Sequence, residues 1–228
     1  MNVKVYVIYH DDESRKKVEQ LEIYPQIELI QVEQSKYFES DIFRLMRKRE
    51  IDWKYLDYVG IITYKIFELL PGFKFSDLLK EIAGDYDVYS LFNSKNDKLL
   101  KQAEKYHPGF SIRWNNLLVQ LGYQSESVAV DPTVIFFRNW WVAKSSLVLS
   151  YIDLVEKIRN ILDDPNEPLY SSFYDNSRYS GNITSEKLKM MCHRPHYTFH
   201  AFILERLPCW FFHISGATVK KSSLGRSI

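Results

Sequence analysis

The sequence predicts an α/β fold, in which a mostly parallel sheet is flanked by helices and followed by a helical C-terminal part. The first observation is alternation, because short runs rich in β-branched and aromatic residues recur between helix-like segments. These runs cover residues 3–8, 27–32, 58–63 and 88–92. The second observation is that residues 58–63 are apolar as far as Thr63, which is typical of a strand buried on both faces. Strands that alternate with helices favour parallel pairing through helical crossovers.

The predicted helices begin at polar caps and carry apolar residues at helical spacing. Asp11 begins a helix that is expected to run to about residue 22. Ser40 or Asp41 can cap a second helix with a basic outer face, and a short helix is expected at residues 75–82. The second half predicts a strand at residues 134–137 and helices at residues 110–121, 141–162 and 200–212.

Two segments of the second half predict irregular structure. Residues 170–185 are polar and rich in tyrosine, which suits either a flexible flap over a site or a plain surface excursion. Residues 216–228 are expected to form a disordered basic tail. No repeat and no strong boundary interrupts the chain before Asp163, so residues 1–215 are predicted to form one α/β domain.

The composition limits the classes of function. The 30 basic and 29 acidic side chains give a net charge of +1, so the chain lacks the basic footprint of a protein whose main partner is nucleic acid. Its two cysteines exclude a disulfide scaffold and favour a reducing, cytoplasmic compartment. No stretch approaches the roughly 20 apolar residues of a membrane span. Aromatic residues reach 15%, which suits either an aromatic core or stacking on sugars and bases.

Polar residues are expected at one edge of the predicted sheet, where the strands end. Tyr9 follows the first strand, and Tyr64 and Lys65 follow the third. Ligands of open α/β sheets bind at the carboxyl ends of the strands, so these residues are expected to meet a polar, phosphorylated ligand. Arg138 and Asn139 close the last predicted strand, and we expect them at the same edge.

Asp85 and Asp87 form an Asp-x-Asp motif between a predicted helix and a predicted strand. Two carboxylates at this spacing can hold a divalent cation such as Mn²⁺ or Mg²⁺, which would neutralise a nucleotide diphosphate and assist its departure. The motif is also common in turns, and this one precedes its strand, whereas a metal site is expected after one. A metal site and a turn therefore both stay open.

His107, His200 and Glu205 are further candidates for the site. The helix start that follows His107 can hold an anion through its amides, or the residue can serve as a cap. His200 begins the last predicted helix and can act as an acid, a base or a phosphate contact. Glu205 can orient His200 or act as a base, although Glu205 and Arg206 can equally belong to structural ion pairs.

Three segments together resemble polysaccharide-assembly glycosyltransferases of bacterial capsule loci and large DNA viruses. Residues 58–65 are similar to their Tyr-x-Gly-x-x-x-Tyr-Arg strand, with lysine in place of the arginine. Residues 137–144, followed by a long helix, are similar to their Asn-x-Trp/Phe segment, and residues 200–207 to their closing His-x-Phe-x-x-Glu-Arg-x helix. The likeness extends in order and spacing over residues 3–212.

The resemblance implies a single Rossmann-like fold of the glycosyltransferase type A class, with a nucleotide-sugar donor such as a UDP- or GDP-sugar at the strand ends. The donor would contact residues at the strand ends and near a helix start: Tyr9, Tyr64, Lys65, His107, Arg138 and Asn139. Glu205 or His200 would deprotonate a hydroxyl of a glycan or lipid-linked acceptor, and Asp85 and Asp87 would be possible metal ligands.

Other functions stay open on the sequence alone, because fold similarity does not fix function. A non-catalytic carbohydrate- or protein-binding module would keep the fold and lose the chemistry. A nucleotide-dependent hydrolase or phosphotransferase is a third alternative, although the chain lacks a Gly-x-x-x-x-Gly-Lys-Ser/Thr loop. Trp140, Trp141 and the basic tail could touch a membrane that carries a lipid-linked acceptor, but core packing and disorder explain them more simply.

Overall fold

The computed structural model describes residues 1–70, 72–91, 97–133, 136 and 139–222, and the strands of these residues form one six-stranded sheet. The strands lie in the order β2-β1-β3-β5-β4-β6. Their bounds are β1 Val3–Tyr9, β2 Ile27–Gln31, β3 Tyr58–Thr63, β4 Val88–Ser90, β5 Trp141–Lys144 and β6 Val219–Lys221.

Five of these six strands point in the same direction. β1 pairs in parallel with β2 and with β3, and β4 pairs in parallel with β6. β5 lies between β3 and β4 and is antiparallel to both, so it is the reversed strand. The mostly parallel sheet that the strand–helix alternation predicted is therefore confirmed.

Helices cover the sheet. Their bounds are α1 Asp12–Lys16, α2 Ile42–Lys48, α3 Ile66–Leu69, α4 Phe75–Glu81, α5 Leu99–Tyr106, α6 Phe110–Gln120, α7 Ser125–Val128, α8 Ser145–Asp163, α9 Tyr170–Phe173, α10 Ser185–Cys192 and α11 His200–Ile214. Short 3-10 helices occur at Glu19–Ile23, Phe38–Asp41 and Glu50–Asp52. Across the part of the chain that the structure describes, no helix combines the length and the apolar character needed to cross a bilayer.

The sheet buries a core on each face, because successive residues of a strand point to opposite sides. Tyr6 and Ile8 of β1 belong to the larger core, which α2, α6, α8 and α11 complete. Val5 and Val7 belong to the smaller core, to which Leu78 of α4 contributes. With both faces covered, the ends of the strands are the part of the sheet where polar side chains can gather.

The prediction of a helix from residue 141 is wrong for its first four residues, because Trp141–Lys144 form β5 and α8 begins at Ser145. Trp141 and Val142 are fully buried between β3 and β4. Gly60 allows β3 and β5 to approach closely, since a Cβ at this position would lie 2.5 Å from Val142 Cγ2 and 2.7 Å from the Trp141 carbonyl oxygen. The local pattern of residues 141–144 fits a strand or a helix, and pairing with distant strands makes it a strand.

The first predicted helix is shorter than expected. Asp11 caps α1 as predicted, and its Oδ1 accepts a hydrogen bond of 2.8 Å from the Ser14 amide. The α-helix ends at Lys16, and Glu19–Ile23 form a separate 3-10 helix. The strands predicted at residues 3–8, 27–32 and 58–63 agree with β1, β2 and β3 to within one residue.

Parts of the C-terminal half are more ordered than the sequence suggests. In the tyrosine-rich segment, Phe173, Tyr174 and Ser177 are buried and α9 forms, so this part packs against the molecule. The expected disordered tail includes β6, in which Val219 pairs with Val88 of β4. Residues 223–228 lie outside the described residues, as do most of the strand predicted at residues 134–137 and Arg138.

Candidate active site

The carboxyl ends of β1, β2 and β3 lie at one edge of the sheet, which we call the carboxyl edge. His10 follows β1, and Tyr64 and Lys65 follow β3. Because β5 runs in the opposite direction, its amino end lies at the same edge. Trp140, directly before β5, donates a hydrogen bond of 3.0 Å from Nε1 to Thr63 Oγ1. The carboxyl edge therefore brings together the ends of β1, β2 and β3 and the start of β5, and the Trp140–Thr63 hydrogen bond links two of these segments.

His10, Glu39 and Lys65 form a charged group at this edge, which we call the edge cluster. Lys65 Nζ lies 3.2 Å from Glu39 Oε1, and His10 Nε2 lies 3.9 Å from the same oxygen. His10 Nδ1 lies 2.8 Å from the Val32 carbonyl oxygen, which fixes the ring. Two potential cations thus share one carboxylate, and the cluster has a net positive charge when His10 is protonated.

The edge cluster shifts the pKa values of its members. Burial alone would raise the pKa of Glu39, but His10 and Lys65 outweigh burial and lower it to about 2. Burial alone would lower the pKa of His10, but Glu39 and the Val32 carbonyl raise it above its ordinary value of 6.5. The folded protein therefore favours a carboxylate at Glu39 and an imidazolium at His10.

We expect the pKa of His10 to fall in a Glu39→Gln variant, because the variant removes the carboxylate that favours the imidazolium. Because folding raises the pKa of His10, protonation of His10 stabilises the folded protein. This contribution is fully present at pH values below the pKa of His10 in the unfolded chain, and it is lost as pH rises through the pKa of His10 in the folded protein. An NMR titration of the His10 ring in both proteins measures this shift. The control is Glu68→Gln, whose carboxylate pairs with Lys17. An unchanged His10 pKa in Glu39→Gln would contradict the assigned cause.

Tyr64 places an aromatic ring beside the edge cluster. Its ring is edge-on to the His10 ring with centroids 5.9 Å apart, and Lys17 and Lys65 each hold Nζ 5.5 Å from its centroid. Tyr64 is partly exposed, so part of this ring can contact a ligand. Tyr9 ends β1 and is also partly exposed, and it packs against the smaller core.

Asn139 connects the start of β5 to the segment that carries Glu39. Its Nδ2 donates to Ser40 Oγ at 3.3 Å, while its buried Oδ1 has no hydrogen-bond partner. Its φ of 56° lies in the left-handed region, which asparagine tolerates better than most residues. The structure therefore brings Tyr64, Lys65 and Asn139 to one edge, whereas Arg138 lies outside the described residues.

His200 is fully buried at the start of α11. Its Nδ1 lies 3.0 Å from Thr198 Oγ1, and its ring packs against Tyr37 and Tyr174 with centroids 5.4 and 4.6 Å away. Burial, followed by the charge of Lys36, lowers the pKa of His200 to about 3. A neutral ring enclosed in this way has no surface for an acceptor, so the geometry favours a packing role over proton transfer.

His107, Glu205 and Arg206 lie around Phe202 of α11. The His107 ring stacks on Phe202 with centroids 3.8 Å apart, and burial followed by the Arg206 charge lowers the pKa of His107 to about 3. Arg206 Nη1 donates to the Phe202 carbonyl at 3.2 Å and lies 3.3 Å from Glu205 Oε2. His107 is therefore a neutral, buried ring and a poor contact for a diphosphate. Glu205 keeps 25% of its side chain exposed and pairs with Arg206.

Asp85 and Asp87 precede β4, at the opposite edge of the sheet. Asp87 Oδ1 lies 2.7 Å from Lys144 Nζ, and Asp87 Oδ2 accepts from the amide and the hydroxyl of Thr218 at 2.8 and 2.7 Å. Lys144, followed by Thr218, lowers the pKa of Asp87 to about 2. Asp85 is exposed. The structure therefore does not bring this pair to the carboxyl edge. Within the described ranges, no three His, Cys, Asp or Glu side chains are grouped as metal ligands.

Two members of the edge cluster, His10 and Glu39, are not among the residues that the sequence predicts for the site. His10 follows β1 as Tyr64 follows β3, so the rule that selected Tyr64 would also have selected His10. Glu39 lies in the 3-10 helix Phe38–Asp41, and only the folded arrangement brings this segment beside Lys65.

The described strands form a mostly parallel sheet with one reversed strand and a polar carboxyl edge, which is an α/β domain of the kind that binds ligands at its strand ends. No family model and no curated protein matches the chain. Among solved structures, the apo structure of the bifunctional glycosyltransferase WbbM is similar, with a TM-score of 0.56 and 13% sequence identity. The similarity covers 97% of this chain and 44% of WbbM, so the chain spans less than half of that protein. This similarity confirms the glycosyltransferase-like fold that the sequence predicted.

Proposed function

We propose that the chain transfers a sugar from a nucleotide-sugar donor, such as a UDP- or GDP-sugar, to a hydroxyl of a glycan or lipid-linked acceptor. The observation that carries this proposal is the edge cluster with Tyr64, at the carboxyl edge of a glycosyltransferase-like sheet. Ligands of open α/β sheets bind at this edge. Two cations suit an anionic diphosphate, and an aromatic ring suits a base or a sugar.

In the proposed complex, Lys65 contacts the donor diphosphate, and protonated His10, whose ring nitrogens face Val32 and Glu39, adds positive charge nearby. Glu39 holds both cations in place before the donor arrives, so little side-chain freedom is lost on binding. The same two cations stabilise the charge that develops on the diphosphate as the sugar leaves. The partly exposed Tyr64 ring stacks on the base or the sugar. The buried Asn139 supports the segment of Glu39 from behind, through its hydrogen bond to Ser40.

The predicted metal ligands do not fit a donor at this edge. The carboxylate oxygens of Asp87 already bind Lys144 and Thr218, and the Asp-x-Asp motif lies at the other end of the sheet. In the proposed reaction, Lys65 and His10 therefore neutralise the leaving diphosphate.

Glu205 is the proposed base for the acceptor hydroxyl. Its carboxylate is partly exposed, and the buried Arg206 fixes its position at 3.3 Å. A carboxylate held in this way can take the proton of a bound hydroxyl as the hydroxyl attacks the donor sugar. Of the two predicted bases, His200 is buried and neutral, whereas Glu205 is partly exposed.

Lys65→Ala tests the proposed donor site. We expect the variant to bind UDP or GDP about tenfold more weakly than the wild type, because it removes a charged contact to the diphosphate. Isothermal titration calorimetry measures the affinity, and donor hydrolysis with and without Mn²⁺ measures turnover. The matched control is Lys80→Ala, which removes a lysine paired with Asp77 on α4.

The wild-type protein separates the proposed function from its alternatives. Binding and turnover of a nucleotide sugar support a transferase. Glycan binding without any affinity for a nucleoside diphosphate would instead identify a non-catalytic binding module. Equal affinities of Lys65→Ala and Lys80→Ala would contradict the proposed donor site.

A further inference from the structure

A cavity of about 600 Å³ lies at the amino edge of the sheet, away from the edge cluster. The start of β3 and the start of α8 form its walls, through Asp57 and Tyr58 on one side and Ser145 and Ser146 on the other. Lys54 and Lys144 also line it. This cavity contains none of the residues to which the proposed sugar transfer assigns a role.

The amino end of α8 opens into this cavity. α8 has 19 residues, and no side chain caps its first turn. The Ser145 amide donates to the Asp57 carbonyl at 3.2 Å, whereas the amides of Ser146 and Leu147 have no acceptor within the helix itself. The partial positive charge of a helix amino end, together with free amides, favours a bound anion.

Ser145 adds an independent indication of a ligand. The residue lines the cavity and is only 2% exposed, yet its Oγ has no hydrogen-bond partner. A buried hydroxyl without a partner is unfavourable, and native structures usually supply one. A ligand that accepts a hydrogen bond at this wall of the cavity would remove the penalty.

Two lysines at the cavity retain unused donors. Lys144 Nζ lies 2.7 Å from Asp87 Oδ1, and Lys54 Nζ lies 3.0 Å from Glu50 Oε1. Each ammonium group has three N–H donors, so one ion pair leaves capacity for a second acceptor. Asp57 is the acidic residue of the lining, and its Oδ2 already accepts a hydrogen bond of 2.6 Å from the Asn2 amide.

We propose that the amino-edge cavity binds the phosphate group of a small phosphorylated molecule. Helix amides, a hydroxyl and two ammonium groups donate from different directions, which suits a tetrahedral oxyanion better than a planar carboxylate. The cavity is larger than a phosphate, so it has space for the rest of such a molecule. This site is separate from the proposed donor site and does not depend on sugar transfer.

Titration with inorganic phosphate at constant ionic strength tests the site, with backbone amide NMR as the readout. We expect saturable shifts at the amides of Ser146 and Leu147. Lys144→Ala is expected to weaken binding about tenfold, and Ser145→Ala about threefold, because each removes one donor. Lys65→Ala, at the other edge, is the control and should leave these shifts unchanged.

Lys144→Ala also removes the Lys144–Asp87 ion pair, which could unfold the protein. Lys54→Ala is therefore the second variant, because it leaves that ion pair in place. Weaker binding by this variant would also support the site. The proposal is overturned if the α8 amides do not respond, if all variants bind phosphate equally, or if acetate binds as tightly as phosphate. A protein that binds no phosphate in this cavity can still bind a nucleotide at the carboxyl edge. Conversely, a protein that binds no nucleotide can still bind phosphate in the cavity, so the two proposals are tested separately.

Discussion

Replacement of Gly60 by alanine is expected to destabilise the fold by about 3 kcal/mol, because the added methyl group has no space between β3 and β5. A Cβ at this position would lie 2.5 Å from Val142 Cγ2 and 2.7 Å from the Trp141 carbonyl oxygen. The second contact is with backbone, so β3 and β5 would have to separate in the centre of the sheet. Urea unfolding followed by circular dichroism measures the loss of stability.

A double-mutant cycle separates the two clashes. Val142→Ala removes Cγ2 and relieves the contact between side chains, but it leaves the contact with the Trp141 carbonyl. The double variant Gly60→Ala/Val142→Ala should therefore be more stable than the sum of the two single losses predicts. A loss of less than about 1 kcal/mol in Gly60→Ala would show that the strands are not packed as closely as described.

Glu205→Gln is expected to lower the rate of sugar transfer by about a hundredfold or more while donor affinity stays within about twofold. The substitution keeps the size of the side chain and removes the carboxylate that would take the acceptor proton. The readouts are kcat for transfer to an acceptor and the Kd of the nucleoside diphosphate. A change in kcat without a change in Kd separates a role in proton transfer from a role in donor binding.

A structural ion pair between Glu205 and Arg206 would give a different result. Glu205→Gln would then lower the melting temperature, and kcat per folded molecule would not change. Glu156→Gln is the matched control, since Glu156 also pairs with an arginine, Arg47 of α2, away from Arg206. A wild-type kcat in folded Glu205→Gln would remove Glu205 from the proposed mechanism.

Local sequence patterns predicted the strands whose apolar runs fit only one type of element. β1, β2 and β3 are short apolar runs bounded by polar residues, and the structure forms each of them as a strand with nearly the predicted bounds. Residues 141–144 are different, because they precede a long helix and share its apolar character. Pairing with β3 on one side and β4 on the other makes them a strand. β6 has three residues and follows a helix, so its partner β4 decides its structure as well.

The candidate site was predictable where a polar residue follows a strand, as Tyr64 and Lys65 follow β3. Asn139 was predicted at this edge as the end of a strand at residues 134–137, but it lies there because it precedes the reversed strand β5. His107 and His200 follow no predicted strand; the sequence predicts them only by residue type near a helix start, and both are buried. Asp85 and Asp87 precede their strand, so strand direction alone places them at the opposite edge. Glu39 carried no local signal.

The reversed strand β5 has a consequence for how the chain folds. β1, β2 and β3 come from the first 63 residues and can pair as soon as these residues are available. β4 follows them in sequence, but its neighbours in the sheet are β5 and β6. β5 begins about 50 residues after β4 ends, so closing the sheet requires a long loop and slows folding. During synthesis, the backbone N–H and C=O groups of β4 therefore stay unpaired until β5 and β6 have been made. In that interval, β4 can pair with other chains and aggregate, or bind a chaperone.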